Sequence, residues 1–199
     1  MAKLYFRYGA VGSAKTLNLL AVAHNYEQQG KRVIRLKPAL DTRFGKPIIK
    51  SRAGLQAEAD LLVDDHTDFQ QLDLDDISCI LVDEAQFLLP DIIEKLRILS
   101  IDKDVPVICY GLRTDFRGNL FPGAKRLMEL SDSIEEVKST CFYCNRKAVM
   151  NLKYVNGKPV VEGPTVELGA EEKYHPACYP CYRKLIRNAV EAAKEGVCT

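Results

Sequence analysis

An apolar run, Leu4-Tyr5-Phe6, gives way to Gly9-Ala10-Val11-Gly12-Ser13-Ala14-Lys15-Thr16, and a helical pattern follows at once. This stretch constrains the fold more than any other, because it demands a strand that stops abruptly at the foot of a helix. Small residues there let backbone N–H groups turn inward around phosphate oxygens, a lysine reaches the β- and γ-phosphates, and a hydroxyl holds Mg²⁺. Lys15 and Thr16 supply the last two, so Gly9 to Thr16 is assigned as a phosphate-binding loop. The pattern departs from G-x-x-x-x-G-K-[ST] at Ala14, which stands where glycine is expected. A methyl group is tolerable there if Ala14 has helical φ/ψ, and that is the expectation. A Gly-rich turn before a core helix is the plainer alternative, and a second motif further along argues against it.

A chain of 199 residues with 47% hydrophobic content holds one ordinary core plus a small appendage, and such content argues against disorder. The formal net charge of +1 gives no global reason for a nucleic-acid or membrane partner. Locally, Lys31, Arg32, Arg35, Lys37, Arg43, Lys46, Lys50 and Arg52 stand against a lone Asp41, whereas Glu58 to Asp76 is almost purely acidic. Such a basic run either faces phosphates or, more commonly, is a solvated face. Neither a signal-peptide core nor a long uncharged apolar span occurs, so a cytoplasmic location is expected. In a reducing compartment, Cys-x-x-Cys pairs read as metal ligands rather than disulfides.

Short β-branched or aromatic runs alternate with helical patterns: strands at 4–8, 32–37, 79–83, 105–110 and 133–138, helices at 15–29, 91–101 and 123–130. This alternation predicts a parallel α/β sheet of the P-loop NTPase kind. The first helix is expected to bury the stripe Leu17, Leu20, Ala21 and His24, with Gly30 as its stop. The segment 41–58 lacks helical periodicity and is expected to form a hairpin or flap. After Lys138 cysteine, proline and glycine become dense until a helical tail from Tyr182 to Glu195, which divides the chain into 1–138 and 139–199.

The second motif is Ile80-Leu81-Val82-Asp83-Glu84, an apolar strand ending in two carboxylates. A parallel strand beside the phosphate-loop strand delivers Asp83 to the Mg²⁺, where it holds the metal through water, and points Glu84 at the attacking group. That group is a water in an ATPase or an alcohol in a kinase. The third motif pairs Cys141-x-x-Cys144 with Cys178-x-x-Cys181, the ligand set of a tetrahedral structural Zn²⁺ site. His175 offers an alternative ligand. Cys79 and Cys109 lie in apolar strands and read as buried small hydrophobes, and Cys198 as a free terminal thiol.

In this order the parts resemble the cytosolic-type (type II) thymidine kinase family, in its bacterial form. The resemblance spans essentially the whole chain. It is carried by YGAVGSAKT, by KPALDTRFG at Lys37–Gly45, by VDEAQF at Val82–Phe87, by CYGLRTDFRG at Cys109–Gly118, by LFPGAKRL at Leu120–Leu127, and by the two cysteine knuckles with Lys173-Tyr174 between them.

The resemblance implies transfer of the γ-phosphoryl group of ATP to the 5′-hydroxyl of thymidine or deoxyuridine. It makes Glu84 the general base and Arg43 a further cation on the transferring group, although a surface arginine paired with Asp41 is an equal reading. Asp41 belongs either to the flap or to the sugar site. The family encloses the base with main-chain groups of a lasso loop, here Thr165 to Tyr174, which brings in Thr165, Val166, Glu167 and Leu168. Side chains matching its pocket are Val11, Leu112, Phe116, Phe121 and Tyr174, and zinc staples the lasso. A homotetramer and feedback inhibition by dTTP are implied as well. Two rival readings are an NTPase that hydrolyses ATP or GTP and a zinc-ribbon module that binds nucleic acid; neutral charge and aromatic loops favour the kinase over both.

Overall fold

The computed structural model describes residues 1–45, 47–165 and 173–195. Its main sheet contains β1 (Leu4–Tyr8), β2 (Arg32–Pro38), β5 (Leu61–Val63), β6 (Ile77–Val82), β7 (Val107–Gly111) and β8 (Ser133–Glu136), in the order β5-β2-β6-β7-β1-β8. Every neighbouring pair in it is parallel. Such a sheet needs cover on both faces, and alternate residues supply two apolar surfaces. Leu4, Phe6, Ile80, Val82, Val107 and Cys109 point to one side, against α2 (Pro90–Asp102) and α3 (Pro122–Leu130). Cys79, Leu81, Ile108 and Tyr110 point to the other, against α1 (Lys15–Gln28). Cys79 and Cys109 are fully buried, as expected of small hydrophobes.

Two expectations need correction. The strand bearing Asp83 is not beside β1, because β7 lies between β6 and β1. Helix α1, which packs across both β6 and β7, closes that gap by bringing Thr16 to Asp83. The buried stripe of α1 is Leu19, Leu20 and Ala23, while Ala21 and His24 face solvent. The buried Lys15 side chain sets the rotation of the helix, and Leu19 and Ala23 follow it at four-residue intervals. The acidic stretch, for which no element was expected, contains β5, whose three residues are too short to show a period.

The segment 41–58 forms an antiparallel hairpin of β3 (Ile48–Lys50) and β4 (Gln56–Glu58), with Ile49 anchored in the core under α1. Beyond residue 138, β9 (Met150–Val155) pairs antiparallel with β10 (Lys158–Val160) and with β11 (Tyr174–Ala177). Helix α4 (Tyr179–Glu195) packs on this small sheet around Met150, Leu152, Ala177 and Tyr182. The Tyr182 hydroxyl donates to the Phe116 carbonyl at 2.7 Å and so fastens this body to the loop after β7. Among the described residues, no helix is long and apolar enough to cross a membrane.

Candidate active site

At the end of β1 the chain doubles back so tightly that a Cβ on Gly9 would lie 2.3 Å from Ser13 Oγ and 2.5 Å from the Val137 carbonyl, so only glycine fits. Gly12 and Ala14 both have positive φ, +75° and 64°. Ala14 is therefore left-handed rather than helical, contrary to expectation. The reversal into α1 demands the glycine conformation there, and alanine adopts it at a cost of about 1 kcal/mol. The Lys15 ammonium donates to the Ala10 carbonyl at 2.8 Å and to the Gly9 carbonyl and Ser13 Oγ at 3.3 Å each. Burial lowers its pKa to about 8, against the opposing pull of Glu84 and Asp83.

Both carboxylates stand at the C-terminal end of β6. Asp83 accepts the Thr16 hydroxyl at 3.1 and 3.2 Å, which brings together the two groups assigned to Mg²⁺. Their oxygens suit a hard cation. Glu84, also at positive φ, has its Oε1 2.7 Å from Arg43 Nη2 and its Oε2 2.6 Å from Gln86 Nε2. Arg43 in turn donates from Nε to Asp41 at 2.7 Å, and Lys37 lies 3.2 Å from the same carboxylate. Lys37 also donates to the Ile48 carbonyl at the start of the hairpin, so Asp41 ties the flap base to Arg43. Arg43 is thus no surface residue: its side chain is 11% exposed and spans both acids.

The charges sort themselves by environment. Burial raises Glu84, but the Arg43 and Lys15 cations outweigh it and hold the carboxyl below its ordinary range. Asp83 is raised to about 7 by burial and by the Glu84 charge. At neutral pH Glu84 is consequently the ionised partner, as a proton acceptor must be.

These groups open into one cleft of about 280 Å³. Its walls bring together the phosphate loop, Arg43, Glu84, Val11, Leu112, Phe116, Phe121, Thr165 and Tyr174, as well as Lys50 to Ala53 of the hairpin tip. A Cβ on Gly12 would lie 3.5 Å from an Arg52 nitrogen, so the tip overhangs the phosphate loop. Val166, Glu167 and Leu168 lie outside the described residues, as does Cys198.

The sulfurs of Cys141, Cys144, Cys178 and Cys181 lie within 4.8 Å of one another. Cys144 is 3.6 Å from Cys178 and 3.7 Å from Cys181. A tetrahedral site with metal–sulfur bonds of about 2.3 Å has edges of about 3.8 Å, so the cluster is a structural metal site by its dimensions. His175 is not needed there. Its Nδ1 meets the Tyr143 hydroxyl at 2.7 Å and its ring stacks on Phe142.

The family model for thymidine kinase matches residues 2–182. The chain belongs to the thymidine kinase family. Thymidine kinase of Lactiplantibacillus plantarum is 46% identical over 180 residues, 89% of this chain and 94% of that relative. The thymidine kinases of Chromobacterium violaceum and Streptococcus pyogenes are each 44% identical, over 92% of this chain and 98% and 97% of theirs. Among solved structures, the Pif1 helicase of Candida albicans overlays 69% of this chain and 36% of its own with a TM-score of 0.41 at 10% identity, too loose a likeness to bear on function.

Several residues of this thymidine kinase family member escaped sequence reasoning. Gln86 clamps Glu84, and its Oε1 accepts the Leu112 N–H at 2.8 Å. Its signal was a lone amide in the otherwise apolar run Ala85 to Leu89. Lys37 and Arg52 were distinguished only as members of the basic run, which divides in three dimensions: Lys31 and Arg32 are solvent-facing, Lys37 is buried, and Lys50 and Arg52 face the cleft. The resemblance pointed to Asn151 or a neighbour only as a contact to the 5-methyl group, whereas the Asn151 amide engages the Val11 N–H and the Thr114 carbonyl.

Proposed function

We infer that this chain transfers the γ-phosphoryl group of ATP to the 5′-hydroxyl of thymidine, giving dTMP and ADP. The observation that carries the reading is that one cleft holds an ionised carboxylate, Glu84, between a phosphate loop and an apolar wall, in a member of the thymidine kinase family. Glu84 accepts the proton of the 5′-hydroxyl as that oxygen attacks phosphorus and the bond to the ADP oxygen breaks. An alcohol is a poor nucleophile, so its placement against the γ-phosphate contributes more than full deprotonation. Arg43 orients Glu84 and spreads positive charge over the transferring group, while Lys15 and main-chain amides of the phosphate loop hold the phosphates. Thr16 and Asp83 would hold Mg²⁺, which supplies charge neutralisation across the β- and γ-phosphates when bound.

On the acceptor side, Phe116 and Phe121 form a wall that suits a flat pyrimidine with a 5-methyl group, and excludes the larger purine. Thr165 and Tyr174 flank the lasso residues 166–172, whose main chain we assign to the base. Zn²⁺ is the metal that suits four thiolates at these spacings, and it holds the small sheet from which the lasso springs. Separate apolar cores support dividing the chain at Ser139 into 1–138 and 139–199. Inhibition by dTTP, a homotetramer and action in the cytoplasm belong to the same proposal on family grounds.

The test is transfer of labelled γ-phosphate from MgATP in parallel to thymidine, deoxyuridine, deoxycytidine, deoxyadenosine and no nucleoside. Labelled dTMP or dUMP, with none of the other products, is expected. Release of free phosphate regardless of nucleoside would return the protein to the hydrolytic NTPases.

A further inference from the structure

Asn151 belongs to β9 of the cysteine-bearing body, yet its side chain reaches out of that sheet and is 3% exposed in the wall of the cleft. Its Oδ1 accepts the Val11 N–H at 2.8 Å and its Nδ2 donates to the Thr114 carbonyl at 2.9 Å. The partners fix the amide orientation, since only oxygen can face an N–H and only nitrogen a carbonyl. One buried side chain therefore joins β9, the loop after β7 and the phosphate loop.

The consequence runs through a single peptide plane. In a trans peptide the N–H of one residue and the C=O of the residue before it point in opposite directions. With the Val11 N–H turned toward Asn151, the Ala10 carbonyl is aimed the other way, where it accepts the Lys15 ammonium at 2.8 Å and the Ser13 N–H at 3.2 Å. Neighbouring Gly12 is at positive φ and adds no side-chain restraint of its own.

We propose that Asn151 is a positioning residue of the phosphoryl-donor site: by gripping the Ala10–Val11 peptide it holds Lys15 in place, so that the cysteine-bearing body serves the phosphate loop as well as the nucleoside side. The proposal rests on reading this loop as the ATP site. It also means that the Val11 amide is spoken for by Asn151, as the Gly9 and Ser13 amides are by the Gly111 and Ala10 carbonyls, so phosphate falls to the other loop amides.

The experiment is a double-mutant cycle on the metal-loaded full chain, with ADP affinity measured by calorimetry in the absence of nucleoside. Asn151→Leu keeps the volume and removes both hydrogen bonds. ADP binding is expected to weaken about tenfold, with zinc content unchanged, and by less than about twofold when the same change is made in a Lys15→Ala background. No weakening, or equal weakening in both backgrounds, would overturn the proposal, since a merely structural residue would act whether or not Lys15 is present. Should Asn151→Leu fail to fold, exchange of the Val11 amide in the unmutated protein decides: protection comparable to the β9 amides supports the grip, and exchange as fast as at the hairpin tip refutes it. Because neither readout uses thymidine, failure of the parent to phosphorylate thymidine would sink the functional reading while leaving this test intact.

Discussion

Ala14 and Asp41 show how single residues carry opposing demands here. Ala14 holds φ at 64° where glycine would be unstrained. Ala14→Gly is expected to raise the unfolding free energy by about 0.5 kcal/mol, what remains of the relieved strain of about 1 kcal/mol after the freedom glycine gains in the unfolded chain is subtracted. Denaturant unfolding of the two proteins checks this. Asp41 is buried between Lys37 and Arg43. Burial alone would raise its carboxyl, but hydrogen bonds and charge from Arg43, then from Lys37, hold it below the ordinary carboxylate range. A depressed folded-state pKa contributes stability that is present above the unfolded value of about 3.9 and is lost as pH falls through the folded value. Asp41→Asn, which takes the carboxylate from the buried Lys37 and leaves Arg43 with Glu84, is expected to cost about 3 kcal/mol at pH 7. Unfolding repeated at successively lower pH should find that difference shrinking below about pH 4, as the unfolded-state carboxyl takes up its proton while the folded one is still ionised.

Between elements, α3 crosses closely over the short turn Ala85–Phe87 that follows Glu84. A Cβ on Gly123 would lie 2.4 Å from the Leu88 carbonyl and 2.9 and 3.0 Å from those of Ala85 and Gln86. All three are backbone atoms and cannot swing aside, so Gly123→Ala must shift the turn that carries the carboxylate. It is expected to cost about 2 kcal/mol of stability. Turnover should fall in the same variant with little change in ADP affinity, measured by steady-state assay and calorimetry, because the phosphate loop is not part of that crossing. Elements with strong periods were legible in the sequence: β1, α1 and α2 begin and end within a residue or two of their expected limits. The three- and four-residue strands β5, β10 and β11 were not, because no period can show in so short a run, although β8, also of four residues, was expected at 133–138.

Across the whole molecule, chemistry was easier to read than geometry. Lys15, Thr16, Asp83, Glu84 and the four cysteines announce themselves by residue type and spacing, and all eight converge as two clusters. What the sequence could not disclose is which side chains reach between distant segments. Asn151 meets Val11 across 140 positions and Arg43 meets Glu84 across 41, and no local pattern encodes either. The rotation of α1 was missed for a related reason: Leu17, Leu20 and His24 fit a helical stripe as well as Leu19 and Ala23 do, and only the inward turn of Lys15 chooses between them. The central claim is that Glu84 takes the proton of the acceptor hydroxyl in a cleft that binds ATP independently of it. The most direct test compares labelled dTMP formation by the parent and by Glu84→Gln, with ADP affinity measured on the same preparations. The account predicts turnover reduced by at least about a hundredfold with ADP affinity within about threefold of the parent, and ordinary turnover by the variant would contradict it.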